Sequence, residues 1–140
     1  MESIAFYSVT DEPWIDTGIT VYISVPDSSK PIFRISPHYH GESWIFFKHV
    51  KVMADSAIVY DKDFASFNMK HDNNSAGVYE NIDYAGTDED IAAIRKIAAA
   101  KSVTVRLSGD DKRDDVDLDA KSLARMRRAL KAYDDMSALQ

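Results

Sequence analysis

Apolar residues recur at every second position through most of the first half of the chain, the spacing that puts side chains on one face of a pleated ribbon. Ile19, Val21, Ile23 and Val25 alternate with Thr20, Tyr22 and Ser24. Pro26-Asp27-Ser28-Ser29-Lys30-Pro31 then reads as a turn, and Ile32 to Ser36 as a short strand. From Trp44 to Met53 the start of the segment is apolar on both faces, through Trp44 and Phe46 on one side and Ile45 and Phe47 on the other. That pattern predicts a central strand covered on both sides. Ala54-Asp55-Ser56 supplies a hairpin turn into Ile58-Val59-Tyr60, and Asp61-Lys62-Asp63 turns the chain into a further strand with Ala65, Phe67 and Met69 on one face. His71 to Gly77 is the most loop-like stretch, rich in Asn, Asp and Gly. Val78, Ile82 and Tyr84 make the next strand, with Glu80 out of place on the same face.

The period changes to that of a helix after Thr87. Thr87-Asp88-Glu89-Asp90 resembles a capping box, and Ile91, Ile94, Ile97 and Ala98 form the stripe behind it. Val103 to Leu107 alternates as a strand ended by Ser108-Gly109. The charged run Asp110 to Asp119 reads as a solvated loop whose last aspartate caps a second helix, Ala120 to Met136, docked through Leu123, Met126, Leu130 and Tyr133. Short links between strands require antiparallel neighbours. The expected fold is a single α+β domain over residues 1–140, a mainly antiparallel sheet, two-layered or sandwich-like, with two helices near the C-terminus covering one sheet face.

Composition narrows the chemistry. With 140 residues, 45% hydrophobic and 29% charged, the chain buries a core without covalent help. It has no cysteine, which excludes disulfides, a thiol nucleophile, thiolate zinc sites and iron–sulfur clusters. Seventeen basic and 23 acidic residues leave a formal charge of −6, which disfavours nucleic acid as a partner. No stretch approaches the roughly 18 apolar residues of a membrane span. The opening residues show no signal sequence: a native Met1 implies the cytoplasm, and a chain trimmed from a longer precursor fits the cell surface or export.

His38 and His40 are two apart, so on a strand both imidazoles project to one side and could ligate one metal, with Glu42, His49 or His71 completing the set. The competing reading is a polar loop between Pro37 and Gly41 with exposed histidines. The aspartates from Asp110 to Asp119 lack the glycine and terminal glutamate of an EF-hand loop. Lys121, Arg125 and Arg128, with Arg127 and Lys131 at the edge, form a basic face on the last helix that fits an acidic partner, anionic lipid or RNA, or a simple solvated surface. Arg106, opposite Val105 and Leu107, is expected to pair with Glu80 or Asp83, or to clamp a ligand carboxylate. Trp44, Phe46 and Phe47 read as core; Trp14, in a polar stretch, reads as an exposed contact residue.

No phosphate loop, metal-binding helix motif or nucleophile elbow occurs, and no cofactor is expected. Trp44-Ile45-Phe46-Phe47 leading to Asp55, Glu80 to Asp83, and Lys101 to Gly109 followed by a helix with Leu130 and Tyr133 resemble uncharacterised domains of small bacterial lipoproteins and surface-associated proteins. The resemblance implies an α+β fold and a possible extracytoplasmic place but no activity; this chain departs from it in showing no lipobox cysteine, and a lipid anchor is not visible in it. A non-catalytic binding or accessory domain for a protein partner is the leading expectation. A metal or small-molecule protein built on His38 and His40 is the alternative, and an enzyme with its site assembled from distant residues the third.

Overall fold

The computed structural model describes residues 16–27 and 30–139 fully and 4–7 as strand backbone. Ten strands and two helices lie among the described residues. The strands are β1 (Ile4–Tyr7), β2 (Gly18–Pro26), β3 (Ile32–Gly41), β4 (His49–Ala54), β5 (Ala57–Asp63), β6 (Lys70–Asn74), β7 (Gly77–Asn81), β8 (Tyr84–Ala85), β9 (Val103–Ser108) and β10 (Arg113–Asp117). The helices are α1 (Asp88–Ala99) and α2 (Ala120–Ser137). One sheet runs β1-β2-β3-β7-β6 with β8 also on β3; the other runs β10-β9-β4-β5. Every pairing is antiparallel, so the α+β, mainly antiparallel expectation holds.

Alternation fills one shared core. Ile19, Val21, Phe33 and Ile35 of the first sheet join Val50, Val52, Val103, Val105 and Leu107 of the second, along with Ile94 and Ile97 of α1 and Leu123 and Met126 of α2. The helices do not cover one sheet face: α1 lies against β4 and β5, and α2 against β2, so each sheet receives a helix. The outer face of the second sheet carries Lys51 and Arg106 opposite one another across β4 and β9, and beside them the exposed Met53 and Ile58, paired across β4 and β5.

Several local expectations need correction, among them the turn expected at Asp61-Lys62-Asp63, which is the end of β5. Trp44 to Lys48 is not a strand; pairing begins only at His49. The segment expected as a strand after Phe64 is a turn, tied by the Phe67 N–H to the Phe64 carbonyl at 2.9 Å, with Phe64, Phe67 and Tyr84 packed edge to face. The loop expected from His71 is instead β6 and the β6–β7 turn. The charged run contains β10, where Asp115 stands directly opposite Arg106. β3 also continues past Ser36 to Gly41. Pro37, which has no N–H to donate, sits where β3 changes neighbours from β8 to β7, and it uses only its carbonyl, accepting from the Ile82 N–H at 3.1 Å.

The β4–β5 hairpin turns at Asp55 and Ser56, whose φ angles of 48° and 71° match the primed turn that suits strand twist. The Asp55 carboxylate also accepts from the Lys101 and Ser102 amides at 3.1 and 3.0 Å, fixing the entry to β9. Both helix starts are capped as the sequence predicts. Asp119 accepts from the Ser122 amide at 2.7 Å, and Thr87 and Asp90 complete a reciprocal capping box. Thr87→Ala is expected to cost about 1 kcal/mol in urea unfolding.

Candidate contact site around Phe46

The segment between β3 and β4 combines a buried carboxylate with a bulky residue in left-handed conformation. Glu80 of β7 is fully buried at 0% exposure, and its carboxylate accepts three consecutive main-chain N–H groups. Oε2 receives those of Ile45 (2.8 Å) and Phe46 (3.0 Å), and Oε1 that of Phe47 (2.9 Å). Converging amides of this kind make an anion-binding nest, and here the anion is the chain's own side chain. The sequence pattern marked Glu80 as misplaced on an apolar face; the nest explains why a carboxylate is there.

Around the nest, Ile45 and Phe47 turn inward and Phe46 turns out. Phe46 adopts φ 50°, a left-handed conformation rare for a bulky residue, and is 60% exposed. Its ring lies 6.0 Å from that of Trp44 and 5.6 Å from that of His71 on β6, while Trp44 and His71 are 5.5 Å apart. Trp44 is half-buried, so the three rings form a supported surface cluster. Gly109, in the β9–β10 turn, lets that turn close on the segment: a Cβ there would lie 2.7 Å from the Phe46 carbonyl oxygen and closer still to that of Ile45. Lys48 and Asp110 then bridge the two loops at 2.5 Å. Phe46 is therefore a correction to the expectation of a core residue. Alternation assigns it to a covered strand face, but the segment is not a strand.

The histidine pair sits on β3 rather than in a loop. His38 is buried; its Nδ1–H donates to the Asp16 carbonyl at 2.6 Å, and its Nε2 accepts from the Thr20 hydroxyl at 2.9 Å. Burial pushes its pKa down to about 4, against a smaller upward pull from the Asp16 hydrogen bond. The ring is neutral and both nitrogens are engaged, so a metal at Nε2 would displace Thr20. His40 is half-buried, stacks on Tyr79 at 4.4 Å, and donates through Nε2 to the Ala76 carbonyl at 3.0 Å. Among the described residues no group of three or more His, Asp or Glu is arranged to hold a metal ion.

The remaining candidates are dispersed. Arg106 pairs with neither Glu80 nor Asp83. It makes a two-pronged contact with Asp115 (Nε–Oδ1 2.8 Å, Nη2–Oδ2 3.0 Å), because β10 brings that residue into register beside it. Asp83 instead takes Arg34 at 2.8 Å and the Tyr22 hydroxyl, and burial together with this carboxylate pushes the Tyr22 pKa up to about 12. On α2, Lys121 and Arg128 are exposed and Arg125 is half-buried. Lys121 and Arg125 lend their charge to the low pKa of Asp119, which the Ser122 amide hydrogen bond chiefly sets. Trp14 lies outside the described residues. No helix of the described residues is long and apolar enough to cross a membrane. No protein-family model, curated protein or solved structure matches this chain.

Proposed function

We propose that this chain is a non-catalytic binding domain that meets a protein partner through the surface formed by Trp44, Phe46 and His71. The observation that carries this is Phe46. A large aromatic ring is held out to solvent in a backbone conformation that costs an L-residue roughly 1–2 kcal/mol, and a buried carboxylate is committed to keeping it there. Folding alone gains little from an exposed ring in a strained position, whereas rigid aromatic side chains dominate binding energy at protein interfaces. Among the described residues no comparable arrangement supports catalysis: the neutral His38 faces Thr20 and a carbonyl, and the tyrosine and arginine near Asp83 are tied to that carboxylate.

The substitutions Phe46→Gly and Phe46→Ala test this directly. Glycine relieves the left-handed strain and alanine keeps it, so the glycine variant is expected to be more stable than the alanine variant by about 1 kcal/mol in urea unfolding. Both are expected to weaken the complex with a partner recovered by crosslinking to the wild-type chain by about 30-fold or more, the scale of an interface hot spot. A partner that binds wild type and Phe46→Gly equally would remove this surface from the function.

A further inference from the structure

The aromatic surface runs into a sheet edge. β6 is the terminal strand of the first sheet, paired among the described residues only with β7, and all five of its residues are exposed. Its register sets His71 and Asn73 opposite Glu80 and Val78, on the face where Trp44 and Phe46 meet His71. Lys70 and Asp72 therefore occupy the other face. Along an antiparallel strand the main-chain groups of successive residues point alternately to either neighbour. The Asn73 N–H is taken by the Asp72 carboxylate at 2.8 Å, which marks Asn73 as facing the open edge, and His71, two residues earlier, faces it as well.

A strand with these properties complements itself. In an antiparallel pairing of two copies centred on His71, each His71 lies opposite its symmetry mate and exchanges main-chain hydrogen bonds with it. The same register puts Lys70 of each copy opposite Asp72 of the other, giving two cross-strand ion pairs of opposite sign, a favourable arrangement on a sheet surface. Drawing the Asp72 carboxylate toward Lys70 of the second copy also frees the Asn73 N–H to join the ladder. Because the two sheets become continuous, the Trp44–Phe46–His71 clusters fall side by side on one face and cover each other. A two-fold axis uses one surface twice, so no further feature is required.

We propose that the partner of the Phe46 surface is a second copy of this chain, joined through antiparallel pairing of β6 with its counterpart. This rests on Trp44, Phe46 and His71 being a contact surface. The short edge predicts a modest dimer, with a dissociation constant between about 1 µM and 1 mM, as for interfaces below standard size.

Sedimentation velocity of the full chain across that concentration range tests the proposal, run beside three variants. Asp72→Lys turns both ion pairs into lysine–lysine contacts at an exposed position and is expected to weaken the dimer about tenfold or more. The double exchange Lys70→Asp/Asp72→Lys restores opposite charges in the same register and is expected to return the dimer to within about threefold of wild type. Phe46→Gly is expected to weaken it without loss of fold. A chain that stays monomeric up to about 1 mM overturns the second-copy assignment, and a different protein captured through Phe46 would then hold the surface. A dimer lost in Phe46→Gly but indifferent to the charge variants overturns the β6 pairing and leaves the aromatic contact standing. A dimer indifferent to all three variants overturns both.

Discussion

Glu80→Ala is expected to lower the stability of the fold by about 3–5 kcal/mol in urea unfolding at neutral pH. Three buried or part-buried amides, those of Ile45, Phe46 and Phe47, lose their acceptor at once. A single buried donor left without a partner costs about 1–3 kcal/mol. The three costs do not sum in full, because the segment can swing outward and give its amides to water. That movement drags Ile45 and Phe47 out of the core, where they are 7% and 1% exposed, so the loss becomes one of packing as well as hydrogen bonding. Glu80→Gln separates the two contributions. Its single oxygen can keep the pair of amides held by Oε2, but its NH2 then confronts the Phe47 N–H, and about half of the alanine effect should remain. Hydrogen exchange locates the damage: in Glu80→Gln the amides of residues 45–47 should exchange faster while those of α1 keep wild-type protection. A Glu80→Ala loss below about 1 kcal/mol would mean that the carboxylate does not organise the segment.

Elements whose structure follows from local rules are legible in the amino-acid order. The isoleucine stripe of α1, the Thr87 box, the Asp119 cap, the Val103–Leu107 alternation and the Asp55–Ser56 turn all appear where periodicity and side-chain chemistry place them. Local rules fail where a distant residue decides the conformation. Trp44-Ile45-Phe46-Phe47 has every property of a doubly covered strand, yet Glu80, more than thirty residues away in sequence, collects its amides and bends it out of the ladder. β10 fails for the opposite reason. Arg113-Asp114-Asp115-Val116-Asp117 is too polar to look like a strand, and it becomes one because Arg106 and Thr104 on β9 offer its aspartates partners at 2.8 and 2.7 Å. The signal available for the candidate contact site is the misplaced Glu80. A carboxylate on an apolar strand face demands donors, and the nearest unassigned amides belong to a loop that must then come to it.

The second large effect is a loss of stability in mild acid that belongs to His38. In the folded chain this imidazole takes a proton only at about pH 4, because burial penalises the imidazolium more than the Asp16 hydrogen bond favours it. In the unfolded chain it does so near the ordinary value of about 6.5. Between those two values the unfolded state binds more protons, so stability rises with pH across the window and falls as acid is added. Above about pH 7 both states are neutral and the group contributes no slope; below about pH 4 both are protonated and the loss is complete. At about 1.36 kcal/mol per unit of difference, the full loss is roughly 3 kcal/mol. The aspartates held by cationic or amide partners, Asp115, Asp119 and Asp134, have their pKa values lowered from 3.8, so their own contributions are lost at more acid pH and do not mask the window. His38→Asn keeps a side-chain N–H for the Asp16 carbonyl without a titrating ring. Its stability measured by urea unfolding from pH 7.5 to pH 4 should run nearly flat where the wild type falls. Parallel curves for the two proteins would show that His38 takes its proton as readily in the fold as in the unfolded chain, so that burial does not hold it neutral. The same bond bears on metal binding: a metal that took Nε2 would have to displace the Thr20 hydroxyl, 2.9 Å away, before it gained the imidazole.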